Sequence, residues 1–94
     1  MKSNMKRYHV IVSGRVQGVF FRANTEAKAN ELGVKGWVRN MPDGSVEIIF
    51  EGSEAAANEM LKFCKKGPKR AKVENVDVRE EQYQGEFSGF EVVH

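Results

Sequence analysis

Two glycines four residues apart, Gly14 and Gly18, mark the place where a β-branched strand gives way to a helix, and the chain is organised around that turn. The stretch reads Val12-Ser13-Gly14-Arg15-Val16-Gln17-Gly18-Val19-Phe20-Phe21-Arg22, with Arg22 falling in the first turn of the helix. A βα turn of this kind can curl successive backbone N–H groups into a concave nest, at which the helix aims the positive end of its dipole. Gly14 and Gly18 permit positive φ and let an anion approach the backbone. The guanidinium of Arg22 adds a planar fork of donors matched to phosphate oxygens. A phosphate cradle is one meaning of this pattern. The other is steric, since many βα turns hold two glycines and a nearby arginine for packing alone. No Gly-Lys-Ser/Thr follows as in a Walker loop. The third glycine and second βαβ unit of a dinucleotide site are missing too.

The segments on either side define the architecture. Residues 1–6 read as a loose, basic tail. Tyr8, Val10 and Val12 alternate with His9, Ile11 and Ser13 in a first strand. Phe21, Thr25, Lys28, Ala29 and Leu32 recur at helical spacing, with Phe20, Ala23 and Ala27 on a shoulder, until Gly33 ends the helix. Gly36–Asn40 forms a second strand, with Val38 and Asn40 on one face and Trp37 and Arg39 on the other. Pro42-Asp43-Gly44 is a turn, so the third strand, in which Val46, Ile48 and Phe50 alternate with Glu47, Ile49 and Glu51, returns as an antiparallel hairpin. Ser53 is placed to cap a second helix, with Glu54 beside the dipole. Ala57, Met60, Leu61 and Cys64 form its apolar stripe, and Lys65, Lys66, Gly67 and Pro68 stop it. A fourth strand spans about 73–81 and a short last one about 87–93. The order predicts a split βαβ sandwich, βαββαβ plus a short extra C-terminal strand, with an antiparallel sheet and both helices on one face.

Composition narrows the function classes. The 94 residues make one domain with a single modest core. A net charge of +2 accommodates an anionic small molecule without the footprint of a nucleic-acid binder. Cys64 is the single cysteine, so no intrachain disulfide forms, and a reducing, cytoplasmic setting is expected. No apolar run approaches the roughly 20 residues of a membrane span. Cys64 lies on the apolar stripe and reads as a buried structural thiol. His9 reads as a strand-face residue and His94 as a chain end. No His, Cys or carboxylate cluster has metal-ligand spacing. Trp37 reads as sheet-face packing. Lys65, Lys66, Lys69, Arg70 and Lys72 read as a solvated cluster at a helix C-terminus.

Two segments together are recognisable. The run Val12–Arg22 resembles the first signature of the acylphosphatases. Gly36-Trp37-Val38-Arg39-Asn40, with Gly44, Val46 and Gly52 in register, resembles the second. The resemblance extends from about Lys6 to the end of the chain. It implies a ferredoxin-like α/β (α+β) sandwich and hydrolysis of the carboxyl-phosphate bond of acyl phosphates without a metal or other cofactor. Residue by residue, it implies that Arg22 binds the phosphoryl group and Asn40 positions the attacking water. Arg15, Val16, Gln17, Gly18 and Val19 would supply backbone N–H donors. The partners implied are a small-molecule acyl phosphate and, as product-like ligands, phosphate or sulfate. A monomer without nucleic acid or membrane is expected.

A cation, an amide and a backbone nest suit a leaving group that needs no proton. A carboxylate qualifies, since its conjugate acid has a pKa of roughly 4. Phosphoryl transfer then requires mainly positioning and charge stabilisation. The competing possibility is a non-enzymatic ferredoxin-like binding module for RNA or a regulatory ligand. RNA-recognition domains on this fold carry an Arg/Lys-Gly-aromatic pattern on the third strand. Ser45–Phe50 lacks it, and Glu47 and Glu51 would repel phosphate. A carbamoyl-phosphate-handling domain fused to a larger maturation enzyme is a further alternative. The lack of zinc fingers or a partner domain favours a free-standing hydrolase.

Overall fold

The computed structural model describes residues 4–94. Seven elements follow in the order β1 (Met5–Arg15), α1 (Phe21–Leu32), β2 (Lys35–Asn40), β3 (Val46–Ser53), α2 (Glu54–Lys66), β4 (Lys72–Glu81) and β5 (Phe90–Val93). The sheet runs β4-β1-β3-β2-β5. One of its faces carries Tyr8, Val10, Val12, Val38, Val46, Ile48 and Phe50. These pack with Phe21 and Ala29 of α1 and with Ala57, Met60 and Cys64 of α2 in one core. Both helices therefore cover the same face, as the element order predicts. Val10, Val12, Val38, Ile48 and Phe50 are wholly buried, each such side chain stabilising the fold by about 1.5–3 kcal/mol.

The local signals behave as their chemistry requires. The Ser53 hydroxyl accepts from the Ala56 N–H at 3.2 Å and caps α2. Gly33 closes α1 in a left-handed conformation, its N–H donating to the Ala29 carbonyl. In the β2–β3 turn, Asp43 accepts from the Ser45 N–H at 3.0 Å and its hydroxyl at 2.6 Å. These bonds hold the Asp43 carboxyl below its ordinary range. Cys64 is buried as read from the stripe, and burial pushes its thiol up to about 12.

Four expectations are corrected. The sheet is mixed rather than antiparallel, because β5 lies parallel to β2, with Val38 opposite Val92 and Arg39 opposite Val93. β5 itself starts at Phe90 rather than near 87, since the chain before it is engaged elsewhere. The N–H groups of Gln84, Gly85 and Glu86 all donate to the Glu51 carboxylate. The tail is shorter than read: Met5 and Lys6 pair with Ser53 and Gly52 in β1, and the Glu54 N–H donates to the Asn4 carbonyl at 2.9 Å. Residues 1–3 lie outside the described residues. Finally, the shoulder of α1 faces water, since Phe20, Ala23 and Ala27 are exposed. Its buried stripe is the narrow row Phe21, Thr25 and Ala29.

The uncovered face of the sheet is closed by ion pairs. Arg7 meets Glu51 at 3.0 Å and Glu81 at 2.9 Å, and also Glu86. Glu47 lies 2.6 Å from both His9 and Arg39. Glu47 and Glu51 are consequently buried rather than solvent-facing. Burial pushes both carboxyls up, but hydrogen bonds outweigh it. Arg39 and His9 hold Glu47 below the ordinary 4.5, while the Gln84 N–H and Arg7 do the same for Glu51.

Candidate active site

The β1–α1 turn starts where β1 bulges. The pairing of β1 with β4 slips between Ser13 and Gly14, and Arg15 still pairs with Lys72. Gly14 has φ 118°, and a Cβ there would stand 2.3 Å from the Lys72 carbonyl oxygen. This glycine serves the close approach of two strands rather than of an anion. Gly18 is the open one, with φ 73° and no atom within 4 Å of where a Cβ would stand. From there the backbone alternates in hand, positive at Gly18, negative at Val19, positive at Phe20 (φ 63°, ψ 26°) and negative at Phe21. Such alternation turns successive N–H groups toward one side. No side chain caps the start of α1, so its first N–H groups keep their donor capacity.

The turn is held from below and from the side. Val16 and Val19 are buried in the core. The Gln17 amide donates to the Met41 carbonyl at 2.8 Å and the Ser45 carbonyl at 2.9 Å. That strap ties the turn to the β2–β3 loop, which begins directly after Asn40. Gln17 thus contributes through its side chain, whereas the sequence pointed only to its N–H.

Asn40 is the last residue of β2, opposite Val46. Its Oδ1 is buried and accepts a hydrogen bond from no donor among the described residues. A buried acceptor left without a partner costs about 1–3 kcal/mol, so the amide is held there by the strand against its own preference. Arg22 is half-buried in the first turn of α1, and its Nη1 donates to Nδ1 of His94 at 3.1 Å. A guanidinium has only donors, so Nδ1 carries no proton in this contact.

A cavity of about 410 Å³ brings these groups together. Its polar lining is Gly18, Arg22, Glu26, Asn40 and His94, and its apolar lining includes Val16, Phe20, Ala23 and Val92. Of the residues singled out by sequence, Arg22, Asn40, Val16 and Gly18 line it. Arg15, Gln17 and Val19 do not. Arg15 is the exposed end of β1, Gln17 is the strap, and Val19 points into the core. His94 was read as a chain end with no bearing on the site, and the structure overturns this. Parallel pairing carries the end of β5 to the end of β2, so residue 94 arrives beside Asn40. Phe20 and Glu26 were also missed. The signal for Glu26 was its position one helical turn after Arg22.

A split βαβ sandwich whose β1–α1 turn opens onto one arginine-bearing cleft is, as a class, a ferredoxin-like α/β domain. Within that class the comparisons are specific. The acylphosphatase sequence profile matches residues 8–92. An acylphosphatase of Rubrobacter xylanophilus is 56% identical, covering 93% of this chain and 79% of its own. One from Methylococcus capsulatus is 52% identical, covering 95% and 97%. The solved structure of an acylphosphatase from Coxiella burnetii superposes with a TM-score of 0.89 at 39% identity, covering 96% of this chain and 94% of that one. The chain belongs to the acylphosphatase family.

Proposed function

We infer that this protein hydrolyses the carboxyl-phosphate bond of small acyl phosphates, giving a carboxylate and inorganic phosphate. The observation that carries the reading is that Asn40, at the end of β2, and Arg22, in the first turn of α1, line the same cleft. The Asn40 side chain brings a hydrogen-bonding amide to the wall of that cleft, where it holds a water. A hydrogen bond between that amide and the water orients the water's lone pair toward phosphorus.

The remaining roles follow from charge. The Arg22 guanidinium and the N–H groups of the Gly18–Phe21 turn bind the phosphoryl oxygens and neutralise charge as the bond to the carboxylate loosens. Val16 and Gln17 keep that turn in place. His94 holds the guanidinium by accepting from it. Asn40 is a neutral amide and does not take a proton, so the water's proton passes to an oxygen of the substrate's own phosphoryl group. No acid is required for departure, because a carboxylate leaves as the anion. The domain acts as a cytoplasmic monomer without metal. Binding of RNA is disfavoured by the sheet's open face, where Arg7 and Arg39 are occupied by Glu51, Glu81 and Glu47.

Hydrolysis of benzoyl phosphate in excess chelator tests the reading. Turnover that persists with chelator and is inhibited competitively by inorganic phosphate is the expected result. Asn40→Ala should lower kcat by about 10²–10³-fold and leave inhibition by phosphate within about twofold. Full activity in that variant would remove Asn40 from the water's path.

A further inference from the structure

Phe20 is the least explained residue of the cleft. It precedes α1 with a left-handed backbone, φ 63° and ψ 26°, and is the one residue other than glycine with positive φ among the described residues. An aromatic side chain disfavours that conformation. The residue is nevertheless 67% exposed, the largest value among the exposed large hydrophobic residues. The conformation is locked, since the Phe20 carbonyl accepts from both the backbone N–H (3.0 Å) and the side-chain amide (2.8 Å) of Asn24. The outcome is an aromatic face held out of the core and against the cleft, where Ala23 and Val92 continue the apolar wall. Glu26 is the one carboxylate side chain in that lining, and no cation lies within ion-pair distance of it among the described residues.

We propose that Phe20 is a specificity-determining residue. Its ring, with Ala23 and Val92, receives the hydrocarbon part of the acyl group, while Glu26 turns away acyl groups that carry a second negative charge. The preferred substrates are then acyl phosphates with uncharged, apolar acyl groups. This rests on the acylphosphatase reading and specifies the part of the substrate that Arg22 and Asn40 do not touch. A planar acyl group gains offset or edge contacts with the ring. An acyl carboxylate instead meets Glu26 in a partly enclosed cleft, where charges are weakly screened.

The test compares kcat/KM for benzoyl, acetyl and succinyl phosphate in the wild type and in Phe20→Ala, Phe20→Asn and Glu26→Gln. Asparagine tolerates the left-handed backbone, so Phe20→Asn removes the ring without adding strain and guards against misfolding of the alanine variant. In both Phe20 variants the benzoyl-to-acetyl ratio should fall about tenfold. In Glu26→Gln the succinyl-to-acetyl ratio should rise about threefold and the gain should shrink with added salt. A benzoyl-to-acetyl ratio unmoved in both folded Phe20 variants overturns the proposal, as does a succinyl-to-acetyl ratio indifferent to Glu26→Gln. Wild-type protein inert toward all three substrates would overturn the acylphosphatase reading itself, a different result from active enzyme with unmoved ratios.

Discussion

The two helices of this domain begin in opposite ways. α2 starts at Ser53, whose hydroxyl caps the Ala56 N–H, with Glu54 complementing the dipole. α1 starts at Phe20, with a left-handed backbone, no capping side chain and no acid in its first turn. Both ends face the same physical demand, because the first N–H groups of any helix lack intrahelical partners. α2 meets that demand from within the chain, whereas α1 leaves it open beside Arg22, Asn40 and His94. The difference teaches where to look for chemistry in a small fold. The capped start belongs to α2, and the uncapped start of α1 is the one at which the proposed phosphoryl site lies.

Several substitutions would break or sharpen this contrast. The largest effect belongs to Arg22→Ala, which should lower kcat/KM for benzoyl phosphate by about 10³-fold and abolish inhibition by phosphate, with little change in Tm. Retained phosphate inhibition would separate Arg22 from the open helix end. Gln17→Leu cuts the strap between the turn and the β2–β3 loop. We expect kcat to fall about tenfold and stability to drop by about 1 kcal/mol, measured by urea unfolding alongside steady-state rates. Ser53→Ala is the matching change at the closed end. It should cost about 1 kcal/mol of stability with kcat and KM unaltered, and a loss of activity would mean that the start of α2 also serves the reaction.

The smallest effect at neutral pH concerns the ion-paired face. Glu47 and Glu51 have carboxyls lowered from 4.5 despite burial. A carboxyl lowered in the folded state adds stability that is present above its unfolded value and lost as pH falls through the folded one. Stability should therefore be flat above about pH 5 and decline in more acid solution. Glu51→Gln should flatten that acid limb, which denaturant melts across the range would show.

Much of the fold was legible because its signals are local. Pro42-Asp43-Gly44 identified the hairpin, and Ser53 with Lys65, Lys66 and Gly67 bracketed α2. Alternation in β1 and β3 set their buried faces, and Arg22 and Asn40 stood out through paired motifs. The failures share a nonlocal cause. Nothing within the four residues Phe90–Val93 records which edge they join or in which direction. Reading the sheet as antiparallel sends the end of β5 away from Asn40, so His94 disappeared from the site through the same error. Phe20 was misplaced because helical periodicity was carried one residue too far back, across a change of backbone hand. Arg7 follows the basic tail and drew no reading of its own from the sequence, yet partners at Glu51, Glu81 and Glu86, distant in sequence, bury it. Gly14 illustrates a subtler limit. Its positive φ was foreseen, but its reason lies in the backbone of β4.

Titration of the ¹⁵N-labelled protein with inorganic phosphate, followed by amide chemical shifts, tests the contrast between the helix ends most directly. Saturable shifts should concentrate at Gly18, Val19, Phe20, Phe21 and Arg22, while the amides of Ser53, Glu54, Ala55 and Ala56 stay in place. Shifts absent from the Gly18–Arg22 turn, or equal at both helix starts, would contradict the account.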